Sequence, residues 1–78
     1  MKVIIGYLDV SETYTTMVNG VELQGYFDEV AELSISSLDN ALEIARDKYD
    51  MTYGTMITED RNIYDFNLDI NTGKLKRC

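Results

Sequence analysis

A single stretch of this chain has helical periodicity, and that limits the folds the chain can adopt. Its apolar residues follow at intervals of 3, 1, 3 and 4, which places them on one face of an amphipathic helix: Leu38, Ala41, Leu42, Ala45 and Tyr49. Ser36 and Ser37 are both candidates for the N-cap, because a serine hydroxyl accepts a hydrogen bond from a free N–H of the first turn. With only one helix, the remaining apolar residues must be buried by β-structure.

Strand-like patterns occupy most of the rest of the chain. The near-continuous apolar run in residues 2–10 predicts a central strand, and residues 64–70 alternate between large apolar and polar side chains, which predicts a strand with one wet face. A further strand is expected at residues 55–58 and a short one around Leu75. The bases around Leu75 are expected on a frayed, solvated chain end: Lys74, Lys76 and Arg77.

The dipeptide Asn19-Gly20 predicts a β-hairpin, because both residues tolerate the positive φ angles of a two-residue turn. Pairing across this turn sets three pairs opposite each other: Val18 with Val21, Thr16 with Leu23 and Tyr14 with Gly25. The second arm is expected to continue along residues 27–35, with a bulge near Asp28 and Glu29. In this register Tyr26 faces solvent.

These patterns predict one α+β domain over residues 1–78: a single antiparallel sheet of about four to five strands with the amphipathic helix packed on one face. No apolar run approaches the roughly 20 residues of a membrane helix. The N-terminus lacks the pattern of a signal peptide, so we expect a cytoplasmic protein. The single cysteine, Cys78, cannot form an internal disulfide, and its expected state is an inert thiol or an adventitious disulfide that links two copies.

The acidic residues are segregated along the chain. The net charge is −7, and no base lies between Lys2 and Arg46. That interval contains eight carboxylates, which are expected to have no local cation and to face water or a partner: Asp9, Glu12, Glu22, Asp28, Glu29, Glu32, Asp39 and Glu43. Such a field repels nucleic acid and membrane surfaces and attracts basic protein surfaces. The alternative is that the acids only keep a small protein soluble.

The residue types needed for catalysis are scarce. The chain has no histidine, which is the commonest acid–base group and metal ligand in proteins. Asp65-x-Asn67-x-Asp69 copies the opening of a calcium loop, but Ile70 stands where that loop needs glycine and Lys76 where it needs glutamate. We therefore expect no enzyme, no metal and no cofactor, and an enzyme would need a bound group to supply its chemistry.

Six tyrosines provide amphipathic contact surface, which is typical of interface cores. Tyr7, Tyr49 and Tyr64 are expected at the edge of the core, whereas Tyr26 and Tyr53, the latter placed in a loop, are better candidates for an interface. Three methionines are expected to add adaptable contact surface: Met17, Met51 and Met56. An aromatic among carboxylates can anchor a partner while the acids meet its bases, and the predicted partner-binding residues are Glu22, Tyr26, Asp28, Glu29, Glu32 and Tyr53.

The layout resembles a class of small phage proteins. The chain opens Met-Lys-Val-Ile-Ile, has one helix at residues 37–46 and continues through Tyr53-Gly54-Thr55 into closing strands, and in this it is similar to small anti-CRISPR inhibitors of type I-F surveillance complexes. The resemblance implies a host-takeover or anti-defence protein that blocks access of an effector to DNA. The segment at residues 69–75 also looks like the closing hairpin of peptidase-propeptide domains, which are usually exported.

The leading hypothesis is therefore a non-enzymatic acidic binding protein from a phage or mobile element. It would act as a DNA-mimicking inhibitor, occupying the basic surface of a nucleic-acid-handling host protein such as a CRISPR effector, without binding nucleic acid or a membrane itself. The alternative is a structural or homo-oligomeric module, a homodimer for instance, in which an exposed sheet edge pairs with a second copy.

Overall fold

The structure, a computed structural model that describes residues 1–78, contains one helix and seven strands. In chain order these are β1 (Lys2–Asp9), β2 (Thr15–Val18), β3 (Val21–Gln24), β4 (Tyr26–Ser34), α1 (Leu38–Asp47), β5 (Tyr53–Thr58), β6 (Ile63–Asp69) and β7 (Lys74–Arg77). Five strands form an antiparallel sheet in the order β4-β1-β5-β6-β7, and β2 and β3 pair separately. The predicted α+β class is confirmed. No helix is long and apolar enough to cross a membrane.

One face of the five-stranded sheet packs against α1. Ala41, Leu42 and Ala45 of the helix are buried, as the apolar spacing predicts, and they join a cluster of 11 buried residues that includes Phe66 of β6. Met51 and Met56 belong to this cluster and are 1% and 0% exposed. The prediction that these two methionines provide contact surface is therefore wrong, because their side chains are buried between the helix and the sheet.

The opposite face of the sheet is covered by the β2–β3 hairpin. Val18 and Leu23 pack on Ile4, Phe27 and Ile57 of the sheet and form a second buried cluster with them. The hairpin has the predicted register, with Val18 opposite Val21. Its place in the fold was not predicted: it forms its own two-stranded sheet, so the five-stranded sheet is covered on both faces.

Gly25 separates the hairpin from β4. Its φ of +112° lies in a region that side-chain-bearing residues rarely adopt, and an added Cβ would collide with the backbone carbonyl of Asp9. The predicted continuous arm from β3 through residues 27–35 is therefore wrong, since β4 is a separate strand that pairs with β1. The bulge lies in β4 where predicted: Ile5 pairs with Ala31 but Gly6 pairs with Glu29, which leaves Val30 as the extra residue.

Three further details differ from the sequence prediction. Tyr53 is the first residue of β5 and not part of a loop. Ile70 lies beyond the end of β6 and is 88% exposed, so the apolar alternation overstates that strand by one residue. The basic C-terminal segment is not frayed, because β7 pairs with β6 and buries Leu75, while the Arg77 guanidinium lies 5.2 Å from the ring centroid of Tyr64.

Candidate functional site

The turn at Gly25 brings three segments together at one end of the sheet. The Gly25 N–H donates to the Tyr14 carbonyl at 2.7 Å, and the Gly25 carbonyl accepts from the Thr16 hydroxyl at 2.7 Å. Asp9, the last residue of β1, lies opposite Tyr26, the first residue of β4. We call this region the acidic end and define it by its acids and exposed apolar side chains: Asp9, Val10, Glu12, Tyr14, Tyr26 and Asp28.

The ionisable groups of the acidic end lie in one another's fields. The pKa of Asp9 is lowered because its carboxylate accepts hydrogen bonds from the hydroxyl and the backbone N–H of Ser11. The pKa of Tyr14 is raised, first by partial desolvation and then by the charges of Glu12, Tyr26 and Asp9. No basic group offsets the effect of these neighbours on the pKa of Tyr14.

Two further tyrosines adjoin the acidic end. Tyr7 of β1 lies opposite Asp28 of β4, and its ring centroid is 5.0 Å from that of Tyr53, with the planes tilted by 57°. This tilted contact is a geometry that aromatic rings prefer. Tyr7 is half-buried against the helix-side core, whereas Tyr53 is 58% exposed. We call Tyr7 and Tyr53 the tyrosine pair. It connects the start of β5 to the acidic end.

Large side chains are unusually exposed here. Val10, Tyr14 and Tyr26 of the acidic end are 68%, 50% and 48% exposed. The chain has two ion pairs, Lys2 with Glu32 at 3.2 Å and Arg46 with Asp50 at 3.0 Å, and neither belongs to the acidic end. The acidic end thus has an exposed apolar centre beside unpaired carboxylates. Protein interfaces that bind a basic partner commonly combine an apolar core with an acidic rim in this way.

The structure brings together half of the predicted site residues. Tyr26 and Asp28 belong to the acidic end, and Tyr53 reaches it through the tyrosine pair. Glu29 is the next residue of β4 and lies opposite Gly6 on the strand edge. Because a strand rises about 3.3 Å per residue, Glu32 lies roughly 20 Å from Tyr26 along β4.

Two predicted residues lie apart from this end. Glu32 is paired with Lys2, so the expectation that the early acids have no local cation is wrong at this position. The sequence pattern missed it because Lys2 and Glu32 come together only when β1 pairs with β4. Glu22 is exposed on β3 opposite Met17, on the surface of the hairpin that faces away from the sheet.

Val10 and Tyr14 are not among the predicted partner-binding residues, and neither are Asp9 and Glu12, although all four are exposed at this end. The available signal was the predicted pairing of Tyr14 with Gly25, which the backbone hydrogen bond between them bears out. A glycine at the base of a hairpin marks a place where another backbone approaches closely. That signal points to a meeting of segments without showing which residues are exposed.

Three grooves lie outside the acidic end itself. One, of about 510 Å³, runs between α1 and β7 and is lined by charges of both signs, among them Glu43 and Lys74. A second, of about 530 Å³, is lined by Leu42, Tyr64 and residues 75–78, and the third, of about 320 Å³, adjoins the tyrosine pair. No group of three or more histidine, cysteine, aspartate or glutamate side chains is placed to hold a metal ion.

Comparison with known proteins adds no assignment to this geometry. No family model matches the chain, and no curated protein or solved structure shows significant similarity to it.

Proposed function

We propose that the protein is a non-enzymatic binding protein whose acidic end docks on a basic surface of a partner protein. The partner class that fits is a protein whose basic surface serves nucleic acid, because such a surface presents lysines and arginines spaced to meet phosphates. Carboxylates held on a small rigid domain compete for the same side chains. The inhibitor of a phage or mobile element, acting in the cytoplasm of a bacterial host on a CRISPR effector, is the specific form of this proposal.

One observation supports the proposal most strongly: exposed tyrosines and unpaired carboxylates share one end of the molecule. Tyr14 and Tyr26 are each about half exposed beside Asp9 and Glu12. Rigid aromatic side chains anchor interfaces at low entropic cost, and rim carboxylates steer a basic partner to them. Charges that served solubility alone would not require large apolar side chains to be exposed among them.

The experiment is a capture of partners from bacterial lysate by the tagged protein, washed at low and at high salt. The test variant carries Glu12→Lys and Asp28→Lys, which reverse two exposed charges of the acidic end. The matched control carries Glu43→Lys and Asp47→Lys, the same change in charge on exposed positions of α1. Both variants are checked for folding by circular dichroism, since surface changes of this kind alter stability by about 0.5 kcal/mol.

We expect a nucleic-acid-binding protein to be retained by the wild-type chain and by the α1 control at low salt and to be lost at high salt. The acidic-end variant should fail to retain it. Equal retention by both variants, or retention that is insensitive to salt, would contradict docking through the acidic end. Loss in both variants would mean that net charge, not this end, governs the capture.

A second candidate is self-association through sheet edges. The two edge strands carry opposite charges, since β4 presents Asp28, Glu29 and Glu32 while β7 presents Lys74, Lys76 and Arg77. Pairing of β4 with β7 of another copy would match these charges across the strands. A mass that grows with protein concentration in light scattering would favour this candidate, and a monomer at all concentrations would exclude it.

A further inference from the structure

The groove beside the tyrosine pair has walls of two kinds. Its aromatic side is formed by Tyr7 and Tyr53, and its polar side by Asp65 and Asn67 of β6. The two sides are held in place by strand pairing, because Tyr53 lies opposite Asn67 and Thr55 lies opposite Asp65. The groove has a volume of about 320 Å³, and Leu8 continues it toward the acidic end.

The carboxylate of Asp65 is held in place but its charge is not neutralised. The hydroxyl of Thr55, a residue only 4% exposed, donates to Asp65 Oδ1 at 2.9 Å, which orients the carboxyl group. Neither ion pair of the chain involves Asp65. The second oxygen, Oδ2, accepts no hydrogen bond from the protein. An oriented carboxylate with a free oxygen is an acceptor for a cationic donor.

The neighbouring amide adds a second free acceptor. Asn67 Nδ2 donates to the Sγ of Cys78 at 2.9 Å, whereas no protein hydrogen bond uses Asn67 Oδ1. The base nearest in register is Lys76, which lies opposite Asn67 and makes no ion pair. The polar side of the groove thus offers two acceptors, one of them charged, and neither takes part in an ion pair of the protein.

We infer that this groove is a binding subsite for an arginine side chain of the partner. The inference rests on the proposed function and names the side chain by which the partner is anchored. A planar guanidinium can lie against the exposed ring of Tyr53 while its N–H groups donate to Asp65 and Asn67. Lysine fits less well, because a compact ammonium cannot stack on the ring and reach both acceptors.

The test uses the isolated protein and a defined probe, so that it does not depend on finding the partner. An acetylated pentapeptide with one arginine between glycines is titrated into the isotopically labelled protein, and amide shifts are followed by NMR. We expect saturable shifts at residues 53–55 and 65–67. The same peptide with citrulline, which keeps the shape but not the charge, should leave these amides unmoved.

Two variants identify the contacts. Asp65→Asn keeps an acceptor for Thr55, so the strand pairing survives, and it should weaken arginine-peptide binding about tenfold, as expected for loss of a charge-assisted hydrogen bond. Tyr53→Leu keeps apolar bulk without the aromatic face and should weaken binding about threefold. Asp47→Asn makes the same charge change on α1 and should leave affinity unchanged.

Absence of saturable shifts, shifts centred on other residues, equal binding of the citrulline peptide or full affinity of Asp65→Asn would each overturn the inference. These outcomes are distinct from a failure of the proposed function. The capture variants at Glu12 and Asp28 leave the groove intact, so partner docking at the acidic end and arginine binding in the groove can succeed or fail separately.

Discussion

At the scale of single residues, Gly25 is the position on which the acidic end depends. Its positive φ lets β3 stop and β4 begin in a new direction. Its missing side chain lets the backbone at the end of β1 come close, with the Cα of Val10, the residue after β1, 3.0 Å from where a Cβ would stand. Tyr14 and Tyr26 are consequently brought to the same end of the molecule as Asp9. A single glycine thus assembles side chains from three segments.

The pKa of Asp9 provides a residue-scale prediction. Ser11→Ala removes the hydroxyl that lowers this pKa most and keeps the backbone N–H that lowers it second. The pKa of Asp9, measured by NMR titration of the carboxyl carbon, should therefore rise partway toward the ordinary aspartate value. Ser34→Ala, an exposed serine in β4, is the control and should leave it unchanged. Equal values in all three proteins would refute the role of Ser11.

The lowered pKa of Asp9 also makes the stability of the folded protein depend on pH. Because the pKa of Asp9 is lower in the folded state, the ionised carboxylate favours folding at every pH above its unfolded value, about 3.9. This contribution is lost as the pH falls through the lower, folded value. The difference in unfolding midpoint between wild-type protein and Ser11→Ala should therefore be constant at neutral pH and shrink only in the acid range below about pH 4.

Residue-scale features divide clearly into those that sequence can predict and those it cannot. The exposure of Tyr26 follows from alternation within a local strand and is confirmed. The ion pair of Glu32 with Lys2 depends on the pairing of β4 with β1 and has no local signature. The contact of Tyr53 with Tyr7 also has no local signature, because it joins two strands that are distant in the sequence.

At the scale of elements, the start of α1 allows a matched comparison. Ser36 and Ser37 are equal N-cap candidates by sequence, and the structure assigns the cap to Ser37, whose Oγ accepts from the Asn40 N–H at 3.1 Å. Ser37→Ala should lower the free energy of unfolding in urea by about 1 kcal/mol. Ser36→Ala, an exposed neighbour without this bond, should change it by less than about 0.5 kcal/mol. The reverse order would contradict the assigned cap.

The turn and register of the β2–β3 hairpin could be predicted from the sequence, but its position on the sheet could not. Its turn and register follow from Asn19-Gly20 and the flanking residues, all within one short segment. Its docking on the second face of the sheet required knowledge that Ile4, Phe27 and Ile57 point to the same side. Alternation in each strand indicates two faces without showing which face of one strand joins which face of another, so the hairpin was predicted as part of the main sheet.

Two truncations in the hairpin test whether it is a structural cover. Leu23 is 3% exposed against the sheet, whereas Met17 on the other surface is 65% exposed. Leu23→Ala should reduce the free energy of unfolding by about 3 kcal/mol, because it leaves a cavity in the second cluster. Met17→Ala should change it by no more than about 0.5 kcal/mol. Similar small effects of both changes in urea unfolding would mean that the hairpin is not packed on the sheet.

At the scale of the whole molecule, the charges are distributed unevenly over a small body. The Cα radius of gyration is 12.0 Å, and the acidic end and the strand β4 lie away from the basic strand β7 at the opposite edge of the sheet. The fold class could be predicted because it depends on the sum of local patterns. The site could not, because it is made where β1, the hairpin base and β4 meet. A concentration of carboxylates of this kind is also a source of self-repulsion in the folded state.

This repulsion predicts that salt stabilises the protein. The net charge is −7, and the molecule's 12.0 Å radius of gyration exceeds the screening length of about 8 Å at physiological ionic strength, so added salt weakens repulsion across the fold. The thermal unfolding midpoint should rise as sodium chloride increases from about 10 mM to about 150 mM. Near the isoelectric point of about 4.2 the same addition should have little effect, because the net charge is close to zero. A midpoint that falls with salt at neutral pH would instead show that the two ion pairs outweigh the repulsion among the unpaired carboxylates.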